Sequence, residues 1–82
     1  MTDLANWIWI VDKKGMTCRN AENNVTVKME TEDGKTSGKI QYMPMELFGE
    51  IAGIRDGEKI IEQIVRMAEA EFMAARTQHP GP

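Results

Sequence analysis

The 82-residue chain has one cysteine, Cys18, and one histidine, His79. So few soft ligands exclude an internal disulfide, and they exclude a structural zinc site assembled from thiolate and imidazole within one chain. They also leave no well-placed partner for a nucleophile, because His79 lies in the tail Thr77-Gln78-His79-Pro80-Gly81-Pro82 and an imidazole base must be held against the group it activates. Neither a Gly-rich phosphate loop nor a calcium-loop spacing occurs. No apolar run reaches the length of a signal-peptide core or a membrane span, and Met1-Thr2-Asp3 opens without a basic segment. The expectation is a non-enzymatic protein with no cofactor and no metal. It should be soluble, reduced and cytoplasmic, with no membrane partner.

The balance of charge narrows partners further. A net charge of −3 and a pI near 5.1 repel nucleic acid and anionic membrane as a whole, so any such binding needs a local basic patch. A hydrophobic content of 41% with 28% charged residues is that of a globular domain. At this length the residues suffice for one core. We expect a single compact domain over residues 1–76 and a flexible tail over 77–82.

The first half of the chain alternates apolar and polar residues, and the second half repeats at helical spacing, a pattern of the α+β class. Asp33-Gly34 supplies the two positive φ angles of a type I′ hairpin. That turn sets Val27 opposite Ile40, Lys28 opposite Lys39, Thr26 opposite Gln41 and Val25 opposite Tyr42. Upstream, Asp12-Lys13-Lys14-Gly15, with Gly15 left-handed, and Ala21-Glu22-Asn23-Asn24 close two further four-residue loops. The glycosylation sequon Asn24-Val25-Thr26 falls where a turn enters a strand. A four-stranded antiparallel meander results. Its inward rows are Trp9–Cys18–Val27–Ile40, Val11–Met16–Met29–Gly38 and Trp7–Asn20–Val25–Tyr42. Its outward rows are Ile8–Arg19–Thr26–Gln41 and Ile10–Thr17–Lys28–Lys39.

This alternation gives Trp7 and Trp9 a role as the floor of the core, with Cys18 a small buried hydrophobe among them. Two α-helices follow and pack on one face of the sheet. The first runs from Pro44 to Gly53 with Leu47, Ile51 and Ile54 on one face. The second starts at Asp56-Gly57-Glu58 and carries the stripe Ile61, Ile64, Val65, Ala68, Phe72 and Ala75. Glu58, Glu62 and Glu69 are expected on its solvent face. Gly49 and Gly53 are expected to allow close packing or to end the first helix. The seven methionines are expected mainly as core filling, with Met45, Met67 and Met73 at helix margins.

The outward sheet face is the candidate binding surface: Ile8, Ile10, Arg19, Thr26, Lys28, Lys39 and Gln41. Arg19, Lys28 and Lys39 concentrate positive charge on an acidic protein, Thr26 and Gln41 add hydrogen-bonding groups, and the isoleucines add an apolar margin. A small interaction module follows, taking a protein or peptide on this face or on the edge of the first strand, as a monomer or a homodimer. From Gly38 onward, Lys39-Ile40-Gln41-Tyr42-Met43-Pro44 and two helices resemble the ribbon-helix-helix plan in the order of elements. That resemblance implies a dimeric DNA-binding protein presenting Lys39, Gln41 and Met43 to the major groove. The acidic chain and the Asp33-Gly34 pairing favour the protein partner.

Overall fold

The computed structural model describes residues 4–12 and 16–77. The elements follow in the order β1 (Trp9–Asp12), β2 (Thr17–Asn20), β3 (Thr26–Glu32), β4 (Lys35–Tyr42), α1 (Met45–Ala52) and α2 (Gly57–Thr77). The strands form one antiparallel sheet in the order β1-β2-β3-β4. The expected α+β meander with two helices is therefore the architecture.

Two of the three turns close as their residues dictate. Asp33 has φ 53° and Gly34 φ 79°, the left-handed pair that a type I′ turn needs, and Glu32 pairs with Lys35. The Ala21–Asn24 loop is held by Asn20, whose N–H donates to the Val25 carbonyl at 2.8 Å. The Asn20 side chain stabilises the same loop, its Oδ1 accepting from the N–H groups of Glu22 and Asn23 at 3.0 Å each. Asn24 takes the left-handed conformation there, with φ 65°. Asn20 is completely buried; its carbonyl oxygen is satisfied by this loop, whereas its Nδ2 has no hydrogen-bond partner among the described residues.

The remaining turn differs from expectation. Val11, not Trp9, sits opposite Cys18, and Asp12 pairs with Thr17. The strand is displaced by two residues, and Met16, expected opposite Val11, has φ 53° and precedes the first paired residue of β2. Lys13, Lys14 and Gly15, on which the expected turn falls, lie outside the described residues. A displacement of two preserves the face of every side chain, so the inward set survives the change of register.

A second difference lies at the end of β4. Val27 pairs with Ile40, but Thr26 pairs with Tyr42, an irregularity that leaves Gln41 as an extra residue in the manner of a β-bulge. Tyr42, expected inward, is 53% exposed.

The core consists of Cys18, Val25, Val27 and Met29 from the sheet, with Ile51 from α1 and Ile64, Ala68 and Phe72 from α2. Trp7 and Trp9 pack against it half-buried, their ring centroids 5.7 Å apart at 51°, as a floor requires. Helix α2 touches all four strands, and α1 packs on α2. Met29 fills the core as expected, whereas Met45 is 87% and Met73 48% exposed.

Two glycines let the helices approach. A Cβ on Gly57 would collide with the Ile51 carbonyl, and a Cβ on Gly38 would lie 2.8 Å from Val27 Cγ1 and 3.1 Å from Val65 Cγ1. Gly49, expected to serve close packing, has open space around its Cα, and Gly53 ends α1 in a right-handed conformation. Gly57→Ala should therefore destabilise the fold by about 1–3 kcal/mol. Gly49→Ala should be neutral or stabilising by up to about 1 kcal/mol, the gain of replacing glycine within a helix. Urea unfolding of both variants checks this, and equal effects would contradict the packing described.

Candidate functional site

The sheet has one covered face and one open face. α2 lies over the first, so the second carries the residues of opposite parity. The register brings Ile10, Arg19, Thr26 and Tyr42 into one row and Asp12, Thr17, Lys28 and Lys39 into the next. Ile8 stands beside the first row, at the end of the sheet, where its carbonyl accepts from the Ala21 N–H at 2.8 Å. Gln41 is exposed beside Tyr42.

Six of the seven candidate residues are thus on one surface, with the exposed Gln41 at the irregularity between Ile40 and Tyr42, but their neighbours change. Ile10 replaces Ile8 opposite Arg19, and Asp12 replaces Ile10 opposite Thr17. Tyr42 joins the face, an addition that alternation hides because the bulge interrupts it. The exposed aliphatic margin is substantial, with Ile8 68% and Ile10 47% exposed.

Local hydrogen bonds hold part of this surface. Asn24, left-handed in the β2–β3 loop, accepts from Arg19 Nη1 at 3.0 Å through its Oδ1, and its backbone carbonyl accepts from Thr26 Oγ1 at 2.9 Å. The exposed Arg19 guanidinium is thereby anchored at one nitrogen, and this bond uses one of its five N–H donors. Lys28 and Lys39 are directly opposed across β3 and β4. Like charges in that position disfavour the free sheet, and an anion placed between them relieves the repulsion.

The two edges of the sheet are not equivalent. The Asn20–Val25 and Met29–Met16 bonds, both 2.8 Å, place β3 residues 26, 28 and 30 toward β4, so the backbone groups of Thr36, Gly38 and Ile40 face the outer edge. Glu69 reaches that edge from α2, and its Oε2 accepts from the Gly38 N–H at 2.6 Å. Glu69 is therefore half-buried and engaged, not on the solvent face where helical spacing places it. On β1 the Ala21–Ile8 bond points residues 8, 10 and 12 inward to β2, so Trp9 and Val11 face the free edge.

Cys18 is buried, and its Sγ donates to the Ala68 carbonyl at 3.4 Å. Burial pushes its thiol up to about 11, with the Glu71 carboxylate adding to the shift. Such a thiol is a packed hydrophobe at neutral pH, as expected. A cavity of about 410 Å³ lies between α1 and α2, lined by Phe48, Ile51, Ile54 and Ile61 with Arg55 and Asp56 among its polar residues. Its lining includes no serine, cysteine, histidine or lysine. Among the described residues, no group of His, Cys, Asp or Glu could hold a metal ion, and no helix is long and apolar enough to cross a membrane. No family model, curated protein or solved structure matches the chain.

Two outcomes follow. Glu69→Ala should cost about 1–2 kcal/mol, within the range for losing a charged acceptor at a part-buried N–H, and should accelerate hydrogen exchange at the Gly38 amide above its neighbours. Unchanged exchange there would mean that the carboxylate does not cap the edge. For Cys18, the folded pKa is raised above the ordinary 9.0 to about 11, so the folded state retains its proton where the unfolded chain loses it. The contribution of this group to stability is fully present below pH 9 and declines as pH rises toward 11. Ellman's reagent at pH 8 should label Cys18 only at the rate of unfolding.

Proposed function

We propose that the protein is a small non-enzymatic interaction module that docks a protein or peptide partner on its open sheet face, in a reducing, cytoplasmic setting. The observation that carries this reading is the row Ile10–Arg19–Thr26–Tyr42 beside the opposed Lys28 and Lys39. Exposed aliphatic and aromatic surface lies next to cations with neighbouring hydrogen-bonding groups. Binding interfaces favour this composition, an apolar centre with arginine and tyrosine and a charged rim. The complementary surface is apolar with acidic residues at its margin.

The same cations support a second reading, a dimeric DNA-binding protein of ribbon-helix-helix character. Against it, β4 is paired along its length with β3 of its own chain, and arginine enters the face only at Arg19. The readings part on salt. Phosphate contacts release counterions and weaken steeply as salt rises, whereas an apolar contact with a charged rim weakens little.

A photo-crosslinking residue at Gln41 tests the proposal in cells, with the same residue at Glu62 on the exposed side of α2 as control. A discrete protein adduct should form at position 41, not at 62, and should be lost in Lys28→Glu/Lys39→Glu. Equal labelling from both positions, or adducts to DNA that disappear between low and moderate salt, would refute it.

A further inference from the structure

We infer that Trp9 and Asn20 form an internal hydration site, in which one water molecule accepts hydrogen bonds from both side chains and ties β1 to the β2–β3 loop. This inference does not depend on what the open face binds. It begins from two donors. Trp9 Nε1 and Asn20 Nδ2 are buried and have no hydrogen-bond partner among the described residues. Buried N–H groups in folded proteins are paired with protein or with ordered water, because an unpaired one opposes folding.

The two donors belong to residues that face each other. Trp9 pairs with Asn20 across β1 and β2. The Ala21 N–H donates to the Ile8 carbonyl, so 8 and 21 are a hydrogen-bonded pair and Trp9–Asn20 is the non-hydrogen-bonded pair beside it. Side chains approach most closely at such a pair. Both residues share the parity of Val11 and Cys18, the next inward pair along the strands.

The Asn20 amide has its orientation fixed from the other end. Its Oδ1 accepts from the N–H groups of Glu22 and Asn23 at 3.0 Å each. Turning the amide over would set Nδ2 against two donors, so the nitrogen is held away from the loop. An indole Nε1 can only donate. The site therefore offers donors alone and calls for an acceptor.

The surroundings select a neutral one. Val25, next to Asn20 across the sheet, is completely buried, and the Trp7 ring lies 5.7 Å from that of Trp9. The inward rows Trp9–Asn20–Val25 and Val11–Cys18–Val27–Ile40 carry no cation, and the field of the Glu71 carboxylate reaches Cys18. An anion would be buried there beside a like charge. Water is uncharged, its oxygen takes two donors at once, and two polar partners meet the least that an internal water needs.

Through this water the indole holds the amide that holds the loop. The same loop carries Asn24, whose Oδ1 accepts from Arg19 Nη1 on the open face. A contact inside β1 thus helps to position a cation on the outer surface.

Nuclear Overhauser spectroscopy on the full chain in ordinary water tests the inference. Water cross-peaks should appear at the Trp9 indole N–H and at the Asn20 side-chain amide, with the sign of a water that tumbles with the protein. The rotating-frame experiment distinguishes them from proton exchange. Trp9→Phe keeps a ring and removes its donor. It should weaken the cross-peak at Asn20 and speed hydrogen exchange at the Glu22 and Asn23 amides by about threefold, the effect of one modest hydrogen bond. The wild-type spectrum decides the matter even if this variant fails to fold. Cross-peaks at neither proton, or at one of them alone, overturn the inference. So does an Asn20 cross-peak unchanged in Trp9→Phe, which would mean that the two donors share no water. A Trp9 indole resonance that moves when chloride is exchanged for nitrate would identify a bound anion instead, and would overturn it too.

Discussion

Helix α2 lies close across β4 because Gly38 has no side chain. Val65 and Glu69 occupy the space a Cβ would need, and the Glu69 carboxylate then accepts from the Gly38 N–H. This contact fixes the rotation of α2. With Val65 and Glu69 on one flank, Ile64, Ala68 and Phe72 are directed into the sheet, and Gln63, Arg66 and Met67 line a cleft with Leu4 and Ala5. The start of the helix is constrained in the same way, since Gly57 abuts the Ile51 carbonyl and so sets how α1 meets α2. Two residues without side chains thus determine where the longest element sits.

The covered face has consequences for the open one. Because α2 satisfies the apolar rows of the sheet, residues of opposite parity are released from packing and can be chosen by their chemistry. Arg19, Thr26, Lys28 and Lys39 show that freedom. Ile8 and Ile10 do not follow a simple alternation of apolar inside and polar outside, for the first strand is apolar on both sides. That departure draws attention to β1 both as part of the surface and as an edge.

Much of this was legible from the residues because period and turn chemistry are local properties. Asp33-Gly34 specified its turn, and the register of β2 on β3 and of β3 on most of β4 followed from counting. The β1 register was misread because a methionine, Met16, adopts a left-handed conformation that residue type does not announce. Tyr42 was misplaced because the irregularity beside Thr26 has no sequence mark. Glu69 escaped notice for a different reason. Helical spacing puts it near the solvent side, and only the close approach over Gly38 brings a strand edge within its reach. The site residues share a face because faces depend on parity, and their neighbours were partly wrong because neighbours depend on register.

The span between Gly38 and Glu69 also has a meaning in time. They are 31 residues apart, and the acceptor comes second. During synthesis the meander emerges first, with a two-residue turn of the kind that closes in microseconds. At the rate of translation, β4 is complete for seconds before Glu69 leaves the ribosome. In that interval both margins of the sheet are uncapped and its inner face has no helix to cover it. The nascent chain is most exposed to wrong partners then, and arrival of the last helix covers the inner face and caps the Gly38 margin.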